Sequence, residues 1–231
     1  MTSWIFLPII GIAMENKVPR EPMEILKQAL RIAKDVGDFR FAGDVAVSIG
    51  IALIRDKDFR QAKRMLSMAR KFYTNDHHPG SLEHSRVRLL EAEAVWAWEQ
   101  GQLLRARALL HRARVYALKT SPQLLFRVDM SLSSLVEQLG KPDAALDYAR
   151  EAYNAAAGGG YNRDRVQGLL RLYELYRALN KMNDAYMALE AALVIAQRIR
   201  DTRLIDKILK ERRDFSKIYQ PEKKKQTAQR R

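Results

Sequence analysis

The chain contains no cysteine among its 231 residues. That absence excludes a disulfide framework, a thiolate zinc site, an iron–sulfur cluster and a cysteine nucleophile. Long hydrophobic runs are also missing. The longest, WIFLPIIGIAM at 4–14, is interrupted by Pro8 and Gly11, and a membrane-crossing helix needs about 20 apolar residues. No Lys or Arg precedes the run and no small-residue cleavage site follows it, so it does not read as a secretory signal. It reads as a segment packed on the first helices, or as sequence upstream of a start at Met14, with a weak anchor as the third alternative. Catalytic constellations are lacking too. His77, His78 and His84 fall in a loop without the i, i+4 spacing or carboxylate that would complete a metal site. Gly158–Gly160 has no strand before it and no G-K-[ST] after it, which excludes a phosphate loop. Paired acids such as Glu91 and Glu93, or Asp143 and Asp147, read as helix-surface charges. No catalytic residue, metal or cofactor is assigned, and an enzyme is not expected.

What is present belongs to a folded chain: 47% hydrophobic and 29% charged residues, enough to bury a core without covalent staples. The charge is one-sided, with 41 Lys+Arg against 27 Asp+Glu for a net +14. This favours acidic partners, nucleic acid or an anionic surface. Residues 200–231 hold twelve Lys/Arg and five Asp/Glu. The last eleven, PEKKKQTAQRR, carry no large apolar side chain and are expected to stay disordered. The organisation expected is an apolar segment at 1–20, a helical domain at 21–219 and a basic tail at 220–231.

The helical domain repeats. Ala62, Leu66 and Ala69 share one helix face, and the same small–bulky–small spacing recurs at Ala106, Leu110, Ala113, at Ala145, Ala149, Ala152, and at Ala185, Leu189, Ala192. The first members lie 44, 39 and 40 residues apart. Leu26 and Ala29 form a partial earlier copy, with Pro22 at its first position. Alanine at these positions lets helix backbones approach closely at no loss of helix propensity. Twelve residues before each first alanine stand Gly50, Ala94, Ser133 and Tyr173. Five residues before it come Lys57, Gly101, Gly140 and Asn180, of which Gly and Asn suit the left-handed residue that ends a helix. The unit is therefore helix A, a tight turn, helix B and a connector. Helices at 23–36 and 201–218 cap the array, the second through Leu204, Ile205, Ile208 and Leu209. Tyr173 breaks the small-residue rule, so the fourth pair must cross less closely or repack around its ring.

In this spacing the chain resembles the tetratricopeptide repeat (TPR), in the long-unit variety of MalT-like regulators. The units are longer than the usual repeat, and the sequence places the extra length in the connectors at 75–84, 120–123 and 155–164. Armadillo- or HEAT-type pairs share a period near 40 residues and remain the structural alternative. The resemblance implies an all-α fold: a right-handed α-solenoid of stacked antiparallel helix pairs, about four full repeats plus capping helices. It also implies a groove lined by helix A side chains. Carried over position by position, these are Asp44, Val47, Ile51, Ile54 and Arg55, then Arg88, Glu91, Val95, Trp98 and Glu99. The third helix A adds Arg127, Met130, Ser134, Glu137 and Gln138, and the fourth Gln167, Leu170, Glu174 and Arg177. About half of the apolar candidates are expected to be core. Trp96 and Trp98 cannot point the same way, so one of them is expected to be buried.

The function this implies is a cytoplasmic, non-enzymatic adaptor or scaffold that binds a peptide or helix, acidic in some cases, in the groove. The alternative is a nucleic-acid-associated factor. Its phosphate or acidic-partner contacts would be Lys210, Arg212, Arg213, Lys217, Lys223, Lys224, Lys225, Arg230 and Arg231. Only Phe215 and Tyr219 supply aromatic surface there. A membrane partner is not expected.

Overall fold

The computed structural model describes residues 20–76 and 82–219. Among these residues every regular element is a helix, ten in all. They are α1 (Arg20–Asp35), α2 (Phe39–Arg55), α3 (Phe59–Asn75), α4 (Glu83–Glu99) and α5 (Leu103–Thr120). After them come α6 (Pro122–Gln138), α7 (Pro142–Gly158), α8 (Asn162–Ala178), α9 (Met182–Arg198) and α10 (Thr202–Ser216). The apolar segment before Arg20 and the basic tail after Tyr219 lie outside the described residues.

Each helix packs most against its neighbours in sequence, and the four strongest pairs are α2 with α3, α4 with α5, α6 with α7 and α8 with α9. The alanine register makes these pairs. Ala62, Ala106, Ala145 and Ala185 are all fully buried, as are Ala69, Ala113, Ala149, Ala152 and Ala192. Opposite them, Gly50, Ala94 and Ser133 are buried on the A helices. At the fourth pair Tyr173 is also buried, and its ring meets Phe215 of α10 edge-on at 5.6 Å. The repacking expected around Tyr173 is therefore made by the last helix, which closes the array with Ile208 and Phe215.

The turns follow one pattern. Lys57, Gly101, Gly140 and Asn180 all take positive φ, between 57° and 75°. At each, the N–H three residues past the last helical residue bonds back to the carbonyl five residues earlier: Lys141 to Val136 and Gln102 to Ala97, for example. This is the Schellman arrangement, which satisfies carbonyls that a helix end would otherwise orphan. Gly37, Gly160 and Arg200 repeat it at three B-to-A junctions.

This corrects the placement of the extra length. Residues 120–123 contain a single non-helical residue, Ser121, which caps α6 ahead of Pro122. Ala155–Gly158 belong to α7 and Asn162–Asp164 to α8. Most units are long because their helices run 17 or 18 residues, not because their connectors do. Alanine-rich sequence continues a helix readily, and a capping serine followed by proline starts one without a loop. Only the passage from α3 to α4 is longer, and residues 77–81 of it, including His77 and His78, lie outside the described residues.

Candidate partner-binding inner wall

The A helices α2, α4, α6 and α8 touch one another in series, α2 on α4, α4 on α6 and α6 on α8. They form one continuous wall, and polar side chains bridge each step along it. At the first, Asp44 accepts from the Tyr73 hydroxyl at 2.7 Å and lies 3.8 Å from Arg88, which reaches Ser48 Oγ at 3.3 Å. At the second, Arg127 donates to Glu91 Oε2 at 2.7 Å, and Trp98 Nε1 donates to Gln138 Oε1 at 2.6 Å. At the third, Arg171 donates to Ser133 Oγ at 3.0 Å and Glu137 Oε2 at 2.7 Å, with Glu174 at 3.5 Å.

Those that link one A helix to the next join residues 34 to 44 positions apart, about one repeat length. The polar pattern of the wall therefore follows from the same period that places the alanines. Burial sets its electrostatics. Glu91 is removed from water, which pushes its carboxyl up to about 7 against the pull of Arg127 and Arg88. Burial likewise raises Glu174, opposed by Arg171 and Lys207. Asp129, behind the wall on α6, is pushed up to about 6 by burial although Arg114 of α5 donates to it at 2.6 Å. Several inner-wall polar atoms are buried with no hydrogen-bond partner among the described residues: Arg55 Nε, Glu91 Oε1, Arg127 Nε and Gln167 Oε1.

The groove residues expected from the sequence separate into two groups. Val47 is fully buried, and Ile54, Met130 and Leu170 are core as well, so their side chains offer a partner almost no surface. The reason is rotational: each lies on the edge of the wall stripe that turns inward toward the paired B helix. Glu91 is also buried, held by Arg127. Asp44, Ile51, Arg55, Arg88, Val95, Trp98, Arg127 and Glu137 are half-exposed, and Arg177 is exposed. Arg177 is not idle, since its guanidinium covers the Tyr173 ring at 5.3 Å and donates to the Tyr173 hydroxyl at 3.1 Å.

Neither tryptophan is buried outright; both are half-exposed. Trp96 faces away from the wall, donates to the Phe59 carbonyl at 2.9 Å and lies under Lys63 and Arg105. Trp98 faces α6. Sequence reasoning missed Arg171, a fully buried arginine that ties α6 to α8. Its signal was legible: an arginine set among the apolar residues of LLRLYELY, with Glu174 three positions on.

The C-terminal cations are partly engaged. Arg212 pairs with Glu190 at 2.6 Å and Lys217 with Asp214 at 2.8 Å, while Lys210 and Arg213 are exposed. Lys223, Lys224, Lys225, Arg230 and Arg231 lie outside the described residues. His84 is exposed in the first turn of α4. Among the described residues no three His, Cys, Asp or Glu converge as a metal site, and no helix is long and apolar enough to cross a membrane.

No family model matches the sequence, and no curated protein is similar to it in sequence. Solved structures are similar in fold. BtubC (BKLC) from P. vanneervenii superposes with a TM-score of 0.64 at 12% identity, over 87% of this chain and 93% of that one. A putative kinesin light chain of P. anserina with nearly identical TPR-like repeats superposes with a TM-score of 0.59 at 17% identity, over 79% and 88%. The chain is an all-helical repeat array with the TPR-like fold.

Proposed function

We propose that the protein is a non-enzymatic adaptor that holds a peptide or helix of a protein partner against the inner wall. TPR-like repeat folds in general mediate protein–protein interaction, and fold alone names neither site nor partner. The observation that carries the reading is the make-up of the wall. Ile51, Val95 and Trp98 stand half-exposed among Arg55, Arg88, Arg127 and Glu137, across helices in direct contact. Apolar anchors set among both charges suit a partner segment gripped by its side chains. The unpaired Arg127 Nε and Gln167 Oε1 support the same reading, because buried polar groups normally find partners.

Val95 is the residue to change. Arg127→Glu would set a second carboxylate against buried Glu91, so it would test folding and not binding. Val95→Glu places a charge on the half-exposed part of the wall. With both proteins immobilised and exposed to extract of the source cells, proteins retained by the parent should be lost from Val95→Glu at an unchanged unfolding midpoint. Retention of the same proteins by the variant would refute the inner-wall assignment.

A further inference from the structure

The outer side of the array carries a feature that the inner wall does not use. Helix α5 has two apolar faces. One is the core face of Ala106, Leu109, Leu110, Ala113 and Ala117. The other points outward and exposes Leu104 (67%), Val115 (55%) and Leu118 (56%). At 100° per residue these three and Ala108 fall on one stripe, which runs about 21 Å along the helix. His111 lies on the same stripe, its imidazole held below the ordinary range by burial and by Arg107 and Arg114. The shift favours its uncharged form, so it adds no fixed charge to the stripe.

Cations border this stripe. Arg105, Arg112 and Lys119 are exposed along one edge, and α5 contains no acidic residue. Helix α3 likewise carries five Lys/Arg and no acid, with Arg60, Lys63, Arg64 and Lys71 exposed. The two helices are joined across α4: the Trp96 ring lies 5.6 Å from Lys63 Nζ and 5.5 Å from the Arg105 guanidinium. Much of the chain's positive charge is thus gathered beside an exposed apolar stripe.

We infer that the outer face of α5, with α3 beside it, is a second docking surface, and that its occupant is an acidic amphipathic helix of another protein. Charge and apolarity together select that occupant. A second copy presenting its own α5 would bring arginines against arginines, which is destabilising. A second copy presenting α7 would offer Asp143, Asp147 and Glu151 but no exposed large apolar side chain to cover Leu104 and Val115. Nucleic-acid phosphates would meet the cations and leave the apolar stripe unmatched. An anionic bilayer would meet α7 as well, which adjoins α5 through the Arg114–Glu151 pair and exposes Asp143 and Asp147. An acidic helix with apolar residues at three- and four-residue spacing satisfies both halves of the surface.

The test uses the full chain and a fluorescent synthetic helix of about five turns, with leucines at that spacing and glutamates on its flanks. Its lysine-for-glutamate counterpart, phosphatidylserine vesicles and a DNA duplex are measured in parallel. The glutamate peptide should bind with an affinity that falls as salt rises. Leu104→Asp/Val115→Asp should weaken it by about tenfold or more, and the lysine peptide should not bind. Both substituted positions are exposed, so the unfolding midpoint should not move. Equal binding by parent and double variant overturns the proposal, as does failure of the glutamate peptide to bind. Binding of vesicles or duplex in its place, lost in the same variant, overturns it in favour of that ligand. None of these outcomes bears on Val95 or the inner wall, so the two readings stand or fall separately.

Discussion

Glu91 shows how much a single side chain has to reconcile in this molecule. It is buried against Arg127, with one oxygen paired and the other unpartnered. Desolvation outweighs the attraction of Arg127 and Arg88 and lifts its carboxyl from the ordinary 4.5 to about 7. The folded protein therefore keeps a proton that the unfolded chain loses between those two values. The stability tied to that proton is complete below about pH 4.5 and declines as pH rises towards about 7. Glutamine keeps the shape and never ionises. Glu91→Gln should accordingly gain stability relative to the parent as pH rises, with the difference in unfolding midpoint growing between about pH 5 and about pH 8. A flat difference, or a variant that loses ground at high pH, would show that the ion pair outweighs desolvation. None of this was legible in the sequence. Glu91 was recognisable as a wall position through the repeat register, but register does not report how far a side chain is turned from water. The same gap hid the burial of Val47 and Met130.

At the scale of the element, the helix contacts show why small residues recur. Gly43 and Gly50 both lie within α2, where alanine would ordinarily be the better helix former by about 1 kcal/mol. The two positions differ in what a methyl group would meet. At Gly43 it would collide with the ring of Tyr73, which is buried and tied through its hydroxyl to Asp44. At Gly50 it would come within 2.7 Å of a terminal methyl of Leu66, which can rotate away. Gly43→Ala should therefore cost about 1–3 kcal/mol through overpacking. Gly50→Ala should stay within about 1 kcal/mol of the parent. Urea unfolding of both variants measures the contrast, and equal costs would show that the Tyr73 ring is not fixed. The small partner at Gly50 was readable from its place twelve residues before Ala62. The one at Gly43 was not, because a lone tyrosine thirty residues later leaves no periodic trace. Turn chemistry was legible to the residue at Gly101 and Gly140, since backbone geometry alone dictates it. Connector length was not, because Ser121 and the alanines at 155–157 are consistent with either a loop or a helix until their neighbours are placed.

For the whole molecule, one repeat length governs three things: the buried alanine seams, the left-handed turns and the polar bridges between successive A helices. The first two specify the TPR-like fold and were carried by small residues whose positions are visible without coordinates. The third builds the inner wall, and it depends on which long side chains meet across a repeat, as Arg171 meets Ser133 and Glu137. Spacing restricts that choice without deciding it. The distribution of charge is also a property of the whole array. The terminal cations were conspicuous in the sequence, whereas those on α3 and α5 are brought together only across α4, where Lys63 and Arg105 meet the Trp96 ring.

The reading that a partner occupies the inner wall is tested most directly by photo-crosslinking in the source cells. A photoreactive phenylalanine is introduced singly at Ile51, Val95 or Gln138 on the wall, and at Asp147 on the outer face of α7. The account predicts a shared crosslinked protein from the three inner positions and none from Asp147. Crosslinks to the same protein from Asp147, with none from the inner positions, would contradict it.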